Sequence, residues 1–235
     1  MAKPALGEPK QARQPWAALR IGLIATSLWI GLNLAGVLLS WARALTADFG
    51  ATPATVALDL RATPAPGRTV LIAANRPRPE RGDFIGHLWV IWPEPPGSDG
   101  VRAFGFYADS QPAAAGALAA GLLAPWGAVT GGPVVPGGLA SDDDQPFERA
   151  IAVTVDQERF ARALAVHRAW AARTDYRIRP PGDEPPIACQ DYVFAIARAL
   201  GLTVPTRDWT QFPASTFLDL AAANPPRAPA TRRPP

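Results

Sequence analysis

The feature that most limits how this chain can fold is an uninterrupted apolar run near its start. Residues 17–41 read AALRIGLIATSLWIGLNLAGVLLSW. From Ile21 to Trp41 there is no charge, and Asn33 is the only strongly polar side chain. About 20 residues, rising about 1.5 Å each, cross the roughly 30 Å hydrocarbon core of a bilayer. No polar face can be drawn on such a helix, which argues against a surface helix of a soluble domain. Trp16 and Trp41 flank the run, where interfacial aromatics are favoured. Lys3, Lys10, Arg13 and Arg20 precede it and only Arg43 follows closely. The positive-inside rule then puts the N-terminus in the cytoplasm and the following chain in the periplasm of a bacterial-type cell. Residues 16–41 read as a single-pass anchor retained in the inner membrane. A signal peptide cut near Ala42-Arg43-Ala44, a small-x-small site, is the alternative and leads to the same side.

The remainder divides by composition. Residues 1–15 are polar and read as a disordered cytoplasmic tail. Residues 42–67, with Pro53, Pro64, Pro66 and Gly67, read as a linker, and 214–235 as a Pro-rich tail. The folded domain is expected over 68–213. The net charge of +3 sits at the two ends: residues 1–20 carry +3 and the stretch from 227 another +3, leaving the interior at −3. A folded part without a basic stripe does not suit nucleic acid as a partner.

Within 68–213, strands are expected at 68–74 (RTVLIAA), 84–92 (FIGHLWVIW), 101–107 (VRAFGFY) and 149–155 (RAIAVTV). Residues 113–123 form a weak Ala-rich helix. Residues 124–146 read as loop, with the acidic run Asp142–Asp144 solvated; calcium finds no ligand spacing there. A helix should open near Thr154 or Asp156, with Phe160, Leu164 and Ala171 on one face. Another should start at Ala188 or Cys189 and stop at Gly201, with Tyr192 or Val193, Ile196 and Leu200 as its apolar stripe. The predicted class is α+β: an antiparallel β meander packed on helices, behind a transmembrane helix.

Reactive side chains are scarce: one cysteine and two histidines. An intrachain disulfide is therefore excluded. Two histidines and one cysteine at these spacings match no metal-ligand pattern, and no cofactor motif is present. Cys189 falls in the first turn of a helix. The unpaired amides there favour a negative charge by about 0.3–1 kcal/mol and can hold an oxyanion. That position suits a nucleophile, although a small buried core residue fits it too. His87 follows Gly86 inside the strongest strand, among apolar neighbours, where its ring nitrogens need partners. His167 reads as a half-exposed helix residue.

Gly86-His87-Leu88-Trp89-Val90 on a strand, followed by Cys189-Gln190-Asp191-Tyr192-Val193 opening a helix, resembles the circularly permuted papain-like hydrolases. These include the NlpC-type cell-wall peptidases and the lecithin:retinol acyltransferase group. Val101–Tyr107, Tyr176-Arg-Ile and Ala199-Leu200-Gly201-Leu202 add to the likeness. The resemblance spans residues 69–205. It implies Cys189 as nucleophile and His87 as its base, in a membrane-anchored amidase or peptidase acting on cell-wall peptides. A lipid acyl hydrolase or acyltransferase, or an inactive papain-like binding module, are the alternatives. Members carry a third polar residue that orients the histidine. Here Tyr107, Asp109 or a backbone carbonyl are the candidates for that role.

Overall fold

The computed structural model describes residues 15–50, 52–63, 65–110, 112–116, 134–178, 184, 186–208 and 210–226. The expected tail at 1–15 lies outside these residues except for its last, as do positions 227–235 and most of the expected weak helix at 113–123. The architecture is mixed α+β. Helix α1 is Pro15–Leu45, and strand β1 is Ala54–Asp59. Strands β2 (Arg68–Asn75), β3 (His87–Ile91), β4 (Ala103–Ala108), β5 (Val135–Ser141) and β6 (Arg149–Val155) follow. Helix α2 (Gln157–Ala171), strand β7 (Asp175–Tyr176), helix α3 (Cys189–Leu200) and helix α4 (Pro213–Ala223) come after them among the described residues.

The strands form one seven-stranded sheet in the order β1-β6-β2-β3-β4-β5-β7. β1 and β6 run parallel, and every other neighbouring pair is antiparallel. Period-two alternation sorts the side chains by face. Val70, Ile72, Leu88, Val90, Phe104, Phe106, Ile151 and Val153 join the core shared with the helices. Ala73, Trp89, Ala103 and Ala150 form a second, smaller cluster. α3 contributes Tyr192, Val193, Ile196 and Leu200, all fully buried, to the larger core. It stops at Gly201, whose φ of 93° closes the helix in the left-handed conformation.

The folded unit extends beyond 68–213 in both directions. β1 lies inside the expected linker, where Ala54–Asp59 pair with Arg149–Thr154 of β6. Pro213, expected to end the domain, is instead the first residue of α4, a position where its missing N–H costs nothing. α4 buries Phe217 and Leu220. β5 occupies part of the stretch expected as loop, despite its Gly-Gly pair. Gly137 belongs there because a Cβ would lie 2.7 Å from the Cβ of Tyr176.

α1 is long and apolar enough to cross a membrane: an 18-residue window within Ala18–Leu45 has a mean hydropathy of 1.8. Its last turns dock on the domain. Ser40 Oγ accepts from Phe212 N at 3.2 Å, Trp41 Nε1 donates to Phe84 O at 2.9 Å, and Arg43 pairs with Asp219 at 2.6 Å.

Candidate active site

β3 starts at His87 because Gly86 turns the chain into it. Gly86 has φ 75°, and a Cβ there would sit 2.6 Å from Asn75 O, so only glycine fits. Asp83 Oδ1 fixes the approach by accepting from Ile85 N at 3.1 Å and Gly86 N at 2.8 Å. The His87 ring stacks on Trp89, two residues along the same face, with centroids 5.3 Å apart, and on Tyr107 of β4 at 4.5 Å.

The acidic run at 142–144 is not a uniformly solvated loop. Asp142 is buried, with 1% of its side chain exposed, and its Oδ2 lies 3.1 Å from His87 Nε2. Its backbone N–H donates to Ala103 O at 2.9 Å, which continues β5 alongside β4. Asp143 accepts instead from the backbone of Arg102 and Ala103, at 2.9 and 2.7 Å, and Asp144 is exposed. Asn75 anchors the chain beyond the run through Pro146 O and Glu148 N, both at 2.9 Å. Tyr107 Oη lies 2.5 Å from both His87 Nε2 and Asp142 Oδ1, donating to the carboxylate. Burial and then Asp142 push the Tyr107 phenol far above its ordinary range, so it stays a donor. Gly105 makes the arrangement feasible, because a Cβ there would overlap His87 Nε2 and come within 2.5 Å of Asp142 Oδ2.

α3 brings Cys189 to the same place. Ala188 precedes it as N-cap and has no side-chain acceptor to offer. Asp191 reaches back to Ala188 N at 3.0 Å and is held by Arg207 at 2.6 Å. The Cys189 and Gln190 amides, first in the helix, have no intrahelical acceptor. Cys189 and the His87 ring line the same cleft, close enough for the thiol to act on the charge of the imidazole. Asp142 and Tyr107 both engage Nε2 of the ring. Burial opposes charge on His87, but Asp142 and Cys189 beside it outweigh that and raise its pKa to about 9.

His87 and Cys189 are thus brought together. His167 is not part of the site and is not half-exposed. It is 5% exposed, its Nδ1 lies 2.9 Å from Tyr192 Oη, and its ring is edge-on to Phe104 at 4.8 Å. The inward face of α2 is Phe160, Ala163, His167 and Trp170; Ala171 is exposed. Burial lowers the His167 pKa to about 4. Asp109 lines the polar cleft, but the His87 ring is bonded by Asp142 and Tyr107.

Two hollows meet at Cys189. One is a polar cleft of about 630 Å³ that includes Arg81, Asp83, His87, Asp109, Asp142 and Cys189. The other is a small, largely apolar pocket of about 60 Å³ lined by Ile85, Tyr176, Ile178, Phe212, Pro213 and Cys189. Among the described residues no cluster of His, Cys, Asp and Glu has the make-up of a metal site. Compared with known protein families, curated proteins and solved structures, the chain matches none.

Proposed function

We propose that the chain is a membrane-anchored thiol hydrolase working outside the cytoplasm, with Cys189 as nucleophile, His87 as acid–base and Asp142 as the residue that orients and charges the imidazole. The observation that carries this reading is the convergence of Cys189 and His87 on one open cleft, with Asp142 Oδ2 3.1 Å from the His87 ring. Such an arrangement, nucleophile to base to orienting acid, is what activates a thiol for acyl transfer. The order of a histidine strand before a cysteine helix, with α3 packed on β3 and β4, supports the permuted papain-like likeness.

In this mechanism His87 takes the Cys189 proton and the sulfur attacks an amide or ester carbonyl carbon. The resulting oxyanion lies against the Cys189 backbone N–H at the start of α3. The imidazolium, charged at neutral pH, gives its proton to the leaving nitrogen or oxygen as the C–N or C–O bond breaks. A water, deprotonated by His87, then attacks the thioester carbon, and the S–C bond breaks to return the thiol and release the acid. Cell-wall stem peptides and lipid acyl groups are both within reach of a domain held at the outer face of the membrane. A carboxylate at the orienting place, Asp142, speaks for the hydrolase over the inactive binding module.

The test is labelling of the intact protein by iodoacetamide. Cys189 should react rapidly at pH 7, and His87→Ala should slow the reaction at least 100-fold with circular dichroism unchanged. Labelling that waits for denaturation, or that ignores His87→Ala, overturns the reading.

A further inference from the structure

We infer that the hollow between the end of α2 and the flank of α3 is a binding site for an organic anion, with the guanidinium groups of Arg173 and Arg198 as its charge partners. It is separate from the thiol centre: it shares no lining residue with the cleft or the apolar pocket at Cys189.

Helix period makes the hollow. On α3, Tyr192, Val193, Ile196 and Leu200 turn to the core. Asp191, Ala195 and Arg198, at spacings of four and three, fall on a neighbouring stripe. The end of α2 brings Trp170 and Arg173 to the same place. Two short stretches, carrying Pro186 and Pro205, close the space, which measures about 380 Å³. That lies within the range of small-molecule pockets.

The charges in it do not cancel. Three guanidinium groups but one carboxylate line the hollow, those of Arg173, Arg198, Arg207 and Asp191. Asp191 is taken by Arg207, at 2.9 and 2.6 Å. Arg173 reaches Asp175 only at 3.8 Å, and that carboxylate lies closer to Arg177, at 3.1 Å. Among the described residues Arg198 has no ion-pair partner. Two positive charges are thus left over, in a folded part whose net charge is −3.

Both leftover cations sit on aromatic rings. The Arg173 guanidinium lies 5.0 Å from the Trp170 ring centroid, and that of Arg198 5.9 Å from Phe194. A guanidinium with a ring against its face keeps its N–H edge for a partner, and that edge fits a carboxylate or phosphate. Ile187, Val204 and the two prolines supply apolar wall beside them. The ligand is therefore a carboxylic acid or phosphate ester with an apolar body. Arg198 in the last turn of α3 and Arg173 just beyond α2 also suit the negative ends of those helices. That role accounts for one cation at each helix, but not for their meeting in one aromatic-walled hollow.

The experiment is calorimetric titration of the full chain in non-ionic detergent with benzoate, phenyl phosphate and inorganic phosphate, and with benzyl alcohol as the neutral counterpart. Benzoate or phenyl phosphate should bind at least 10-fold more tightly than inorganic phosphate and benzyl alcohol, and the tighter of the two names the acid group. Arg173→Gln and Arg198→Gln should each weaken that binding at least 5-fold with circular dichroism unchanged. Arg81→Gln, in the cleft, and Cys189→Ser should leave it as it is, so the site stands or falls apart from the hydrolase reading. Absence of binding by every anion overturns the site and leaves the two arginines as helix-end charges. Binding that Arg81→Gln weakens and Arg198→Gln does not belongs to the cleft and overturns it as well. Inorganic phosphate as tight as phenyl phosphate leaves the apolar walls without a part and overturns the organic ligand.

Discussion

Asp142 Oδ2 stands 3.1 Å from His87 Nε2 although 55 residues separate them. The approach is a product of sheet order. β3 and β4 are neighbours, β5 pairs with β4 on its far side, and the chain leaving β5 stays against Ala103. The carboxylate therefore arrives across β4, over the space that Gly105 leaves empty. A buried ion pair of this kind adds little net stability, because desolvation offsets the attraction. Its effect falls on the histidine, whose ring is held in one orientation and kept protonated.

Asp142→Asn should therefore act on chemistry before stability. The amide keeps the shape and loses the charge, so the His87 pKa should fall from about 9 towards 6.5. Activity should drop by about 10²–10⁴-fold, the scale for neutralising the orienting carboxylate of a triad. The pH profile of Cys189 alkylation is the check. Its imidazolium-dependent limb, near pH 9 in wild type, should move to lower pH in the variant.

Much of this was readable from the chain alone, and the unreadable part has a physical reason. The apolar run gave α1, and the apolar stretches around Leu71, Val90, Phe104 and Ile151 gave β2, β3, β4 and β6. Cys189 at a helix start was marked by the apolar stripe beyond it and by Gly201. β5 was hidden because Pro136, Gly137 and Gly138 are poor strand formers in isolation; they are tolerated because Tyr107 and Tyr176 crowd that strand from both sides. Asp142 was hidden more thoroughly. Three successive aspartates look alike in sequence, and only the end of β5 decides that the first turns inward, the second caps β4 and the third faces water.

The two histidines should tilt the pH dependence of stability in opposite directions. The folded pKa of His87 is raised from 6.5 to about 9, so its stabilisation is complete below 6.5 and disappears as pH climbs through 9. His167 is lowered to about 4, so the stability of its neutral form is present above 6.5 and lost as pH falls through 4. The melting temperature in detergent should peak near pH 6.5. His87→Gln should flatten the alkaline side alone, and His167→Leu the acid side alone.

The start of α3 depends on a carboxylate rather than on its N-cap residue. Asp191 serves both Ala188 N and Arg207, whose side chain is 5% exposed. Arg207→Met removes one partner of this nearly dry pair and leaves Asp191 without its counter-charge. Destabilisation of about 3 kcal/mol is expected, measured by urea denaturation. Because Cys189 is the first residue of that helix, activity should fall at temperatures below the melting transition as well. Asp191→Asn with Arg207→Met should recover part of the stability, since the stranded charge is then gone.

Gly105→Ala tests the geometry with a single methyl group. The added Cβ would overlap His87 Nε2 and lie 2.5 Å from Asp142 Oδ2, so the two must separate. Crowding in a packed site costs about 1–3 kcal/mol of stability. The activity loss should match that of Asp142→Asn, because both changes weaken the same Asp142–His87 interaction. For the same reason the double variant Gly105→Ala/Asp142→Asn should be no less active than the worse single variant, since groups acting as one unit are not additive. Steady-state kinetics of the four proteins decide the matter: full multiplication of the two losses would mean that Gly105 and Asp142 act on different parts of the reaction.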